Sequence, residues 1–330
     1  MEDLFMEIFK NKGFILLTKI MVVILLGSLL VGIISIAILS SPAKFSDTYQ
    51  SVIQRKYDLL KNTDDKKIII VGGSNAAFGI VDEYLEEETG YSVVNMGLHA
   101  GFGALFPTEL VKDYINEEDI VLLAYEYELS SSSFEKLGDI DLIMSGIDNA
   151  LEIYKKIPLR NIPEILGNLF DFAKSKATKV ELTSGTYSSN SFDEAGRMVL
   201  ERKTNTMMDY KSNLELYKEV TSESLYAAED DYEYLVDLRV LVEKRGAEIY
   251  FVAPVLMEDA YVGTEEALLA YQEGLMKKTG IEYISNAKEY MFPSEYIYDT
   301  IYHCNEMGAQ KRTELLLSDL QSHGILKNVY

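Results

Sequence analysis

Residues 20–39 contain no charged side chain, and the apolar run reaches back to Phe14. At about 1.5 Å of rise per residue, such a stretch makes a helix of about 30 Å, the thickness of a bilayer's hydrocarbon core. A buried core helix of this length would keep polar positions on one face. A cleaved signal peptide would carry a shorter apolar region, although Ser41, Pro42 and Ala43 end in the small residues that cleavage needs. The stretch therefore reads as an uncleaved signal anchor. Lys10, Lys12 and Lys19 lie close before it and only Lys44 close after it, with Arg55 and Lys56 further on. That bias predicts the N-terminus inside and the remainder outside. Gly27 and Gly32 are five apart, so the Gly-xxx-Gly dimer spacing is absent from the span.

The remainder of the 330-residue chain is long enough for one large domain, and an apolar content of 48% permits a sizeable core. The formal net charge is -22; Glu2, Asp3 and Glu7 cancel Lys10, Lys12 and Lys19, so the acidic excess belongs to the part beyond the span. Such a surface repels nucleic acid at long range and excludes it as a partner. The single cysteine, Cys304, rules out a disulfide within the chain. No set of His, Cys, Asp and Glu has metal-ligand spacing, so neither metal nor cofactor is expected.

The expected organisation is a tail and anchor over 1–41, a polar, partly helical stalk over 42–65, and an α/β domain over 66–325. Residues 68–71 (IIIV) form a β-branched run bounded by Gly72 and Gly73, which reads as a strand buried on both faces. A helix is predicted over 76–88, a second strand over 92–97, a helix over 105–115 and a third strand over 119–128. Helical periodicity over 139–176 is broken at Pro158 and Pro163, and 180–206 is polar loop. Residues 130–225 thus read as a mostly helical insertion, a lid or wall over a site. The alternation resumes with a helix over 230–244, a strand over 248–255, a helix over 265–279, a short strand over 281–285, and a closing helix over 306–321. Strands alternating with helices at this spacing predict a parallel, doubly wound sheet.

Three places carry chemistry. Ser74 follows the first strand directly, in VGGSNAAFG. A nucleophilic serine needs a tight turn at a strand's end, where the following backbone N–H groups face a developing oxyanion; Gly72 and Gly73 suit the turn. The plain alternative is that Ser74 or Asn75 caps a helix. There is no P-loop lysine and no G-x-G-x-x-G spacing here. The second strand ends in Asn95-Met96-Gly97, where the Gly97 amide is placed to donate to an oxyanion; the alternative is a glycine that ends a strand. Near the far end, Asp299 precedes His303 by four residues on one loop, a carboxylate able to orient an imidazole; here the alternative is a loop histidine beside a turn, with Asn305 capping the closing helix. His99 follows the second strand and would line the same edge, whereas His323 lies in the solvated tail.

Taken in order, a Gly-x-Ser after the first strand, an Asn-x-Gly ending the second and an Asp…His before the last helix resemble the SGNH (GDSL-like) hydrolase superfamily. The resemblance covers about residues 66–128 and 229–320. It implies a flavodoxin-like three-layer α/β/α sandwich with Ser74 as nucleophile, Gly97 as oxyanion donor, His303 as base and Asp299 as its orienter. The ending DTIYHCNEMGA, from Asp299, is similar to membrane-anchored members found beside cell-surface glycan acylation systems, including relatives of the teichoic acid D-alanylation accessory protein and of alginate O-acetylation proteins. The family's Gly-Asp-Ser is Gly-Gly-Ser here, and the Asp to His spacing is one residue longer than the usual Asp-x-x-His. The third strand ends Ala124-Tyr125-Glu126-Tyr127-Glu128, so Glu126 stands about where the family places an oxyanion-hole asparagine. An ionised carboxylate cannot donate and repels an oxyanion; Asn75 or His99 would have to stand in.

Two functions are expected from these residues. The first is an anchored, extracytoplasmic serine esterase or O-acyltransferase acting on an envelope glycan. Its partners would be that glycan or an acyl donor, and a multi-pass membrane acyltransferase. The second is a scaffold or glycan-binding accessory protein that keeps the fold without the chemistry, with some of the 23 tyrosines offering sugar-stacking faces.

Overall fold

A computed structural model describes residues 12–127, 134–178, 185–203, 219–225 and 227–326. Five strands form the central sheet: β1 (Lys67–Gly72), β2 (Ser92–Asn95), β3 (Ile120–Ala124), β4 (Glu248–Phe251) and β5 (Glu282–Tyr283), in the order β2-β1-β3-β4-β5. Each neighbouring pair is parallel. This is the doubly wound order of flavodoxin-like sheets, in which the order reverses beside β1 and opens a crevice at the carboxyl edge.

The strand sequences explain why both faces are covered. Side chains alternate along β1, so Ile69 and Val71 enter one apolar cluster and Ile68 and Ile70 another. The first cluster packs beneath helices α2 (Val52–Asn62), α5 (Leu105–Val111) and α9 (Glu229–Lys244) through Ile53, Leu110 and Leu238. The second packs beneath α4 (Asp82–Thr89) and α11 (Glu306–Ser322) through Leu85, Leu316 and Leu320. Helix α10 (Glu265–Thr279) packs beside α9. The sequence reading of a three-layer α/β/α architecture with a parallel sheet is met.

Below the sheet, Lys67 and Asp119 form an ion pair at 2.8 Å with both side chains fully buried. Asp119 also accepts backbone N–H bonds from Lys67 and Asn116, so its charge is satisfied where β1 and β3 begin.

Several boundaries differ from expectation. The helix predicted over 76–88 is two: α3 (Ser74–Gly79), which starts directly at the end of β1, and α4, separated by the extended backbone of Ile80 and Val81. The third strand ends at Ala124, so Tyr125 and Glu126 leave the sheet at its edge. Residues 139–176 form α6 (Ile140–Gly146), α7 (Leu151–Tyr154) and α8 (Ile162–Ala177). Pro163 does not break α8; it sits in the first turn, where a proline lacks no needed donor.

The expected stalk needs correction. Within 42–65, Tyr49, Val52, Ile53, Tyr57 and Leu60 are buried, and α2 packs against the sheet as part of the outer layer. Five apolar residues at helical spacing are a core face, not a solvated spacer. The expected insertion contributes α6–α8 and residues 185–203 to the described structure. Residues 130–133, 179–184 and 204–218, which belong to the same expectation, lie outside the described residues, as do 128 and 129. N-terminal to all this runs α1 (Lys12–Leu39), 28 residues whose most apolar 18-residue stretch has mean hydropathy 3.0, long and apolar enough to span a membrane.

Candidate active site

At the carboxyl edge of β1 the chain turns through Gly72 and Gly73 into α3. Gly72 is held to glycine by backbone, whereas Gly73 is crowded only by the movable Glu126 carboxylate. A Cβ on Gly72 would lie 2.3 Å from the Ala124 carbonyl oxygen, and one on Gly73 would lie 2.4 and 2.6 Å from the two Glu126 carboxylate oxygens. Ser74 is the first residue of α3 and is half-buried.

The other half of the expected pair comes from a loop closed by its own backbone. The Tyr298 N–H donates to the His303 carbonyl at 2.7 Å, and the His303 N–H donates to Thr300. That closure sets Asp299 Oδ1 2.7 Å from His303 Nδ1. With Nδ1–H donating to the carboxylate, Nε2 carries the lone pair. The imidazole lies flat on the ring of Phe78, centroids 4.0 Å apart and planes 4° apart. Phe78 is one helical turn beyond Ser74 on the same face of α3. The structure thus brings the far-end imidazole onto the helix that begins with Ser74.

Tyr187, from the segment expected as lid or wall, completes this unit. Its hydroxyl donates to Asp299 Oδ2 at 2.8 Å and lies 3.5 Å from His303 Nδ1. Thr186 is hydrogen-bonded to Tyr298, and the buried Arg202 donates to the Cys304 carbonyl, so residues 185–203 strap the histidine loop. Tyr49 packs edge-on against both His99 and Tyr187 and donates to the Leu98 carbonyl at 2.6 Å. Burial raises the phenol pKa of both Tyr49 and Tyr187, and the Asp299 charge adds to each, so both remain donors at neutral pH.

The expected oxyanion donors fare differently. The Gly97 N–H is engaged by Asn95 Oδ1 at 3.0 Å, and Gly97 is a contact residue: a Cβ there would lie 2.5 Å from that of Ala76. Asn75 is corrected as a side-chain donor. It is fully buried, its Nδ2 donates to the Ala124 carbonyl, and its Oδ1 accepts from Arg312. Its backbone N–H donates to Glu126 Oε1 at 3.3 Å. Glu126 therefore occupies an amide that could serve an oxyanion. His99 accepts the Gly101 N–H on Nδ1 at 2.8 Å, which leaves the proton on Nε2. Burial lowers its pKa and the neighbouring His303 lowers it further, so His99 is a neutral N–H donor close to the dyad.

Arg312 was not singled out by the sequence reading. It is 1% exposed, and its guanidinium donates to the carbonyl of Asn75 at 2.5 Å, to Asn75 Oδ1 and to the Ala253 carbonyl. Asn75 is thus held on one side by Arg312 and on the other by Glu126, directly after Ser74. A signal existed: Arg312 falls between Ala309 and Leu316 on the apolar face of the closing helix. Tyr187 gave none. Cys304 is fully buried and its thiol is pushed up to about 11 by that burial, which makes it unreactive. Among the described residues no cluster of three His, Cys, Asp or Glu could hold a metal.

No known protein family's sequence profile matches the chain, and no curated protein matches it. A crystal structure of the Bacillus subtilis protein YxiM is similar over 79% of this chain and 57% of that one, with 14% identity and a TM-score of 0.35. The chain spans less than two thirds of that protein's length. At that TM-score the likeness adds nothing to what the strand order shows.

Proposed function

We propose that the chain is a membrane-anchored serine esterase or O-acyltransferase of the SGNH type, with its domain outside the cytoplasm and an envelope glycan or acyl donor as substrate. The observation that carries this reading is the Asp299–His303 pair, held at 2.7 Å and stacked on the helix that Ser74 begins. In the proposed step His303 Nε2 takes the Ser74 hydroxyl proton as Oγ attacks an ester carbonyl, and Asp299 stabilises the imidazolium. The tetrahedral intermediate collapses to an acyl-serine, the leaving alkoxide taking the proton from His303. Water or a sugar hydroxyl, deprotonated in turn by His303, then releases the acyl group. Helix α1, long and apolar enough to cross a bilayer, would hold the domain at the membrane surface beside a multi-pass acyltransferase.

A fluorophosphonate probe reads this directly. Labelling of the wild type that disappears in Ser74→Ala supports the reading, and a wild type that takes no label counts against it. A second reading is favoured by one observation: Glu126 on the Asn75 amide leaves an anion where charge would develop. On that reading the domain is a scaffold or glycan-binding accessory of an acylation system, and Ser74→Ala leaves the cellular phenotype intact.

A further inference from the structure

Helix α8 is apolar on two faces. Ile165, Leu169 and Phe172 are buried against the domain. Leu166 and Phe170, one turn apart, face outward at 42% and 80% exposure, and Leu159 in the turn that leads into the helix is 88% exposed. Pro163, Gly167 and Lys174 are exposed along the same stripe. A helix that a soluble domain alone had shaped would be polar on that side.

The place of this stripe in the fold says what covers it. Helix α8 packs against α1. Its last turns are tied to the foot of α1: Lys176 Nζ donates to the Ser41 carbonyl at 3.1 Å, and Phe172 stacks on Phe45. On α1, Ser35 is buried, and Ile38 and Leu39 pack against the domain core. Ser35 lies about 6 Å along the axis from Leu39, at about 1.5 Å per residue. The charge-free residues 20–39 are needed in full to fill a hydrocarbon core of about 30 Å. The stretch from Ser35 to Leu39 is then the outermost part of that core, so an element that touches α1 between Ser35 and Ser41 sits at the boundary of hydrocarbon and headgroups, where Lys174 can extend its ammonium to water.

We propose that the outward stripe of α8 (Leu159, Leu166 and Phe170) seats on the outer-leaflet surface of the bilayer, so that the domain lies against the membrane instead of standing off from it. The proposal rests on α1 spanning the bilayer and is independent of the chemistry at Ser74. Its occupant is lipid of neutral headgroup, because the acidic domain repels anionic lipid.

The chain contains no tryptophan, so single reporters are clean. Full-length Leu26→Trp, Phe170→Trp and Val240→Trp are placed in phosphatidylcholine nanodiscs with spin labels at the headgroup or deep in the acyl chain. Leu26→Trp should lose most of its emission to the deep label. Phe170→Trp should shift to the blue and lose most of its emission to the headgroup label, and Val240→Trp, on α9, should be untouched. Quenching of Leu26→Trp with Phe170→Trp behaving like Val240→Trp overturns the docking of α8. No quenching of Leu26→Trp overturns the spanning helix and, with it, this proposal. The Trp replaces a side chain that is 80% exposed, and Leu166→Trp, 42% exposed, is the second reporter on the same face.

Discussion

Replacing Glu126 by glutamine tests the chemistry at Ser74 most sharply. In the structure one carboxylate oxygen accepts the Asn75 N–H at 3.3 Å, and both oxygens lie over Gly73. An oxyanion formed on a carbonyl bound at Ser74 would seek that same amide, and would lie within about 4 Å of the carboxylate. Two unit charges at that distance repel by about 4 kcal/mol at an effective dielectric of 20, and by about 1 kcal/mol where bulk solvent fills the gap. Glu126 is half-buried, so both bounds apply. Glutamine keeps the shape, removes the charge and offers an N–H donor of the kind whose loss elsewhere costs about 10²–10³ in rate. Glu126→Gln should therefore raise the rate of fluorophosphonate labelling, and of hydrolysis of an activated acetyl ester, by roughly 5-fold to 1,000-fold. The gain should vanish in Ser74→Ala/Glu126→Gln. An active wild type whose labelling rate is unchanged or lowered by Glu126→Gln would refute the argument. Glu126 would then assist the reaction, and the oxyanion would lie elsewhere.

Arg312→Ala should lower stability by about 3–5 kcal/mol in urea titrations. It leaves the Asn75 carbonyl, Asn75 Oδ1 and the Ala253 carbonyl without a buried donor, each such loss costing about 1–3 kcal/mol; a change below about 1 kcal/mol would show these bonds to be incidental. Burial pushes the Asp82 carboxyl up to about 6, with Lys56 and Asn95 acting in opposition. A folded-state value above the unfolded one near 4 means that this group's contribution is fully present below about pH 4 and is lost as pH rises through about 6, on the order of 3 kcal/mol in all. Asp82→Asn should remove that slope between pH 4 and 6, and a variant that keeps the wild-type slope would place its origin in other groups.

Much of the architecture could be read in advance because each element declares itself locally. The run Ile68–Val71 is apolar at every position, which only a strand covered on both faces tolerates, and Ile68 and Ile69 do enter opposite clusters. The glycines before Ser74, the Asp299 to His303 spacing and the Asn305 cap on α11, which accepts the Gly308 N–H at 2.9 Å, are likewise short-range features. The absence of an asparagine after the third strand, with Glu126 near that place, is likewise legible in the sequence. The partners of Asn75 and Gly97 were not legible there. Both residues were named, but their hydrogen bonds go to Ala124, Arg312 and Asn95, partners that become neighbours only when strands and helices pack.

The sequence by itself determined the apolar helix, the alternation of strands and helices, and the residue types at the two ends of the candidate site. These follow from side-chain periodicity and turn chemistry within a few residues. Tertiary structure alone decided that one face of 49–60 belongs to the core, and that Tyr187 reaches Asp299 across 112 positions. It also decided that Arg312 and Glu126 hold Asn75 from opposite sides. Those contacts depend on which faces are left to pack once the sheet has formed, and no local pattern encodes that choice.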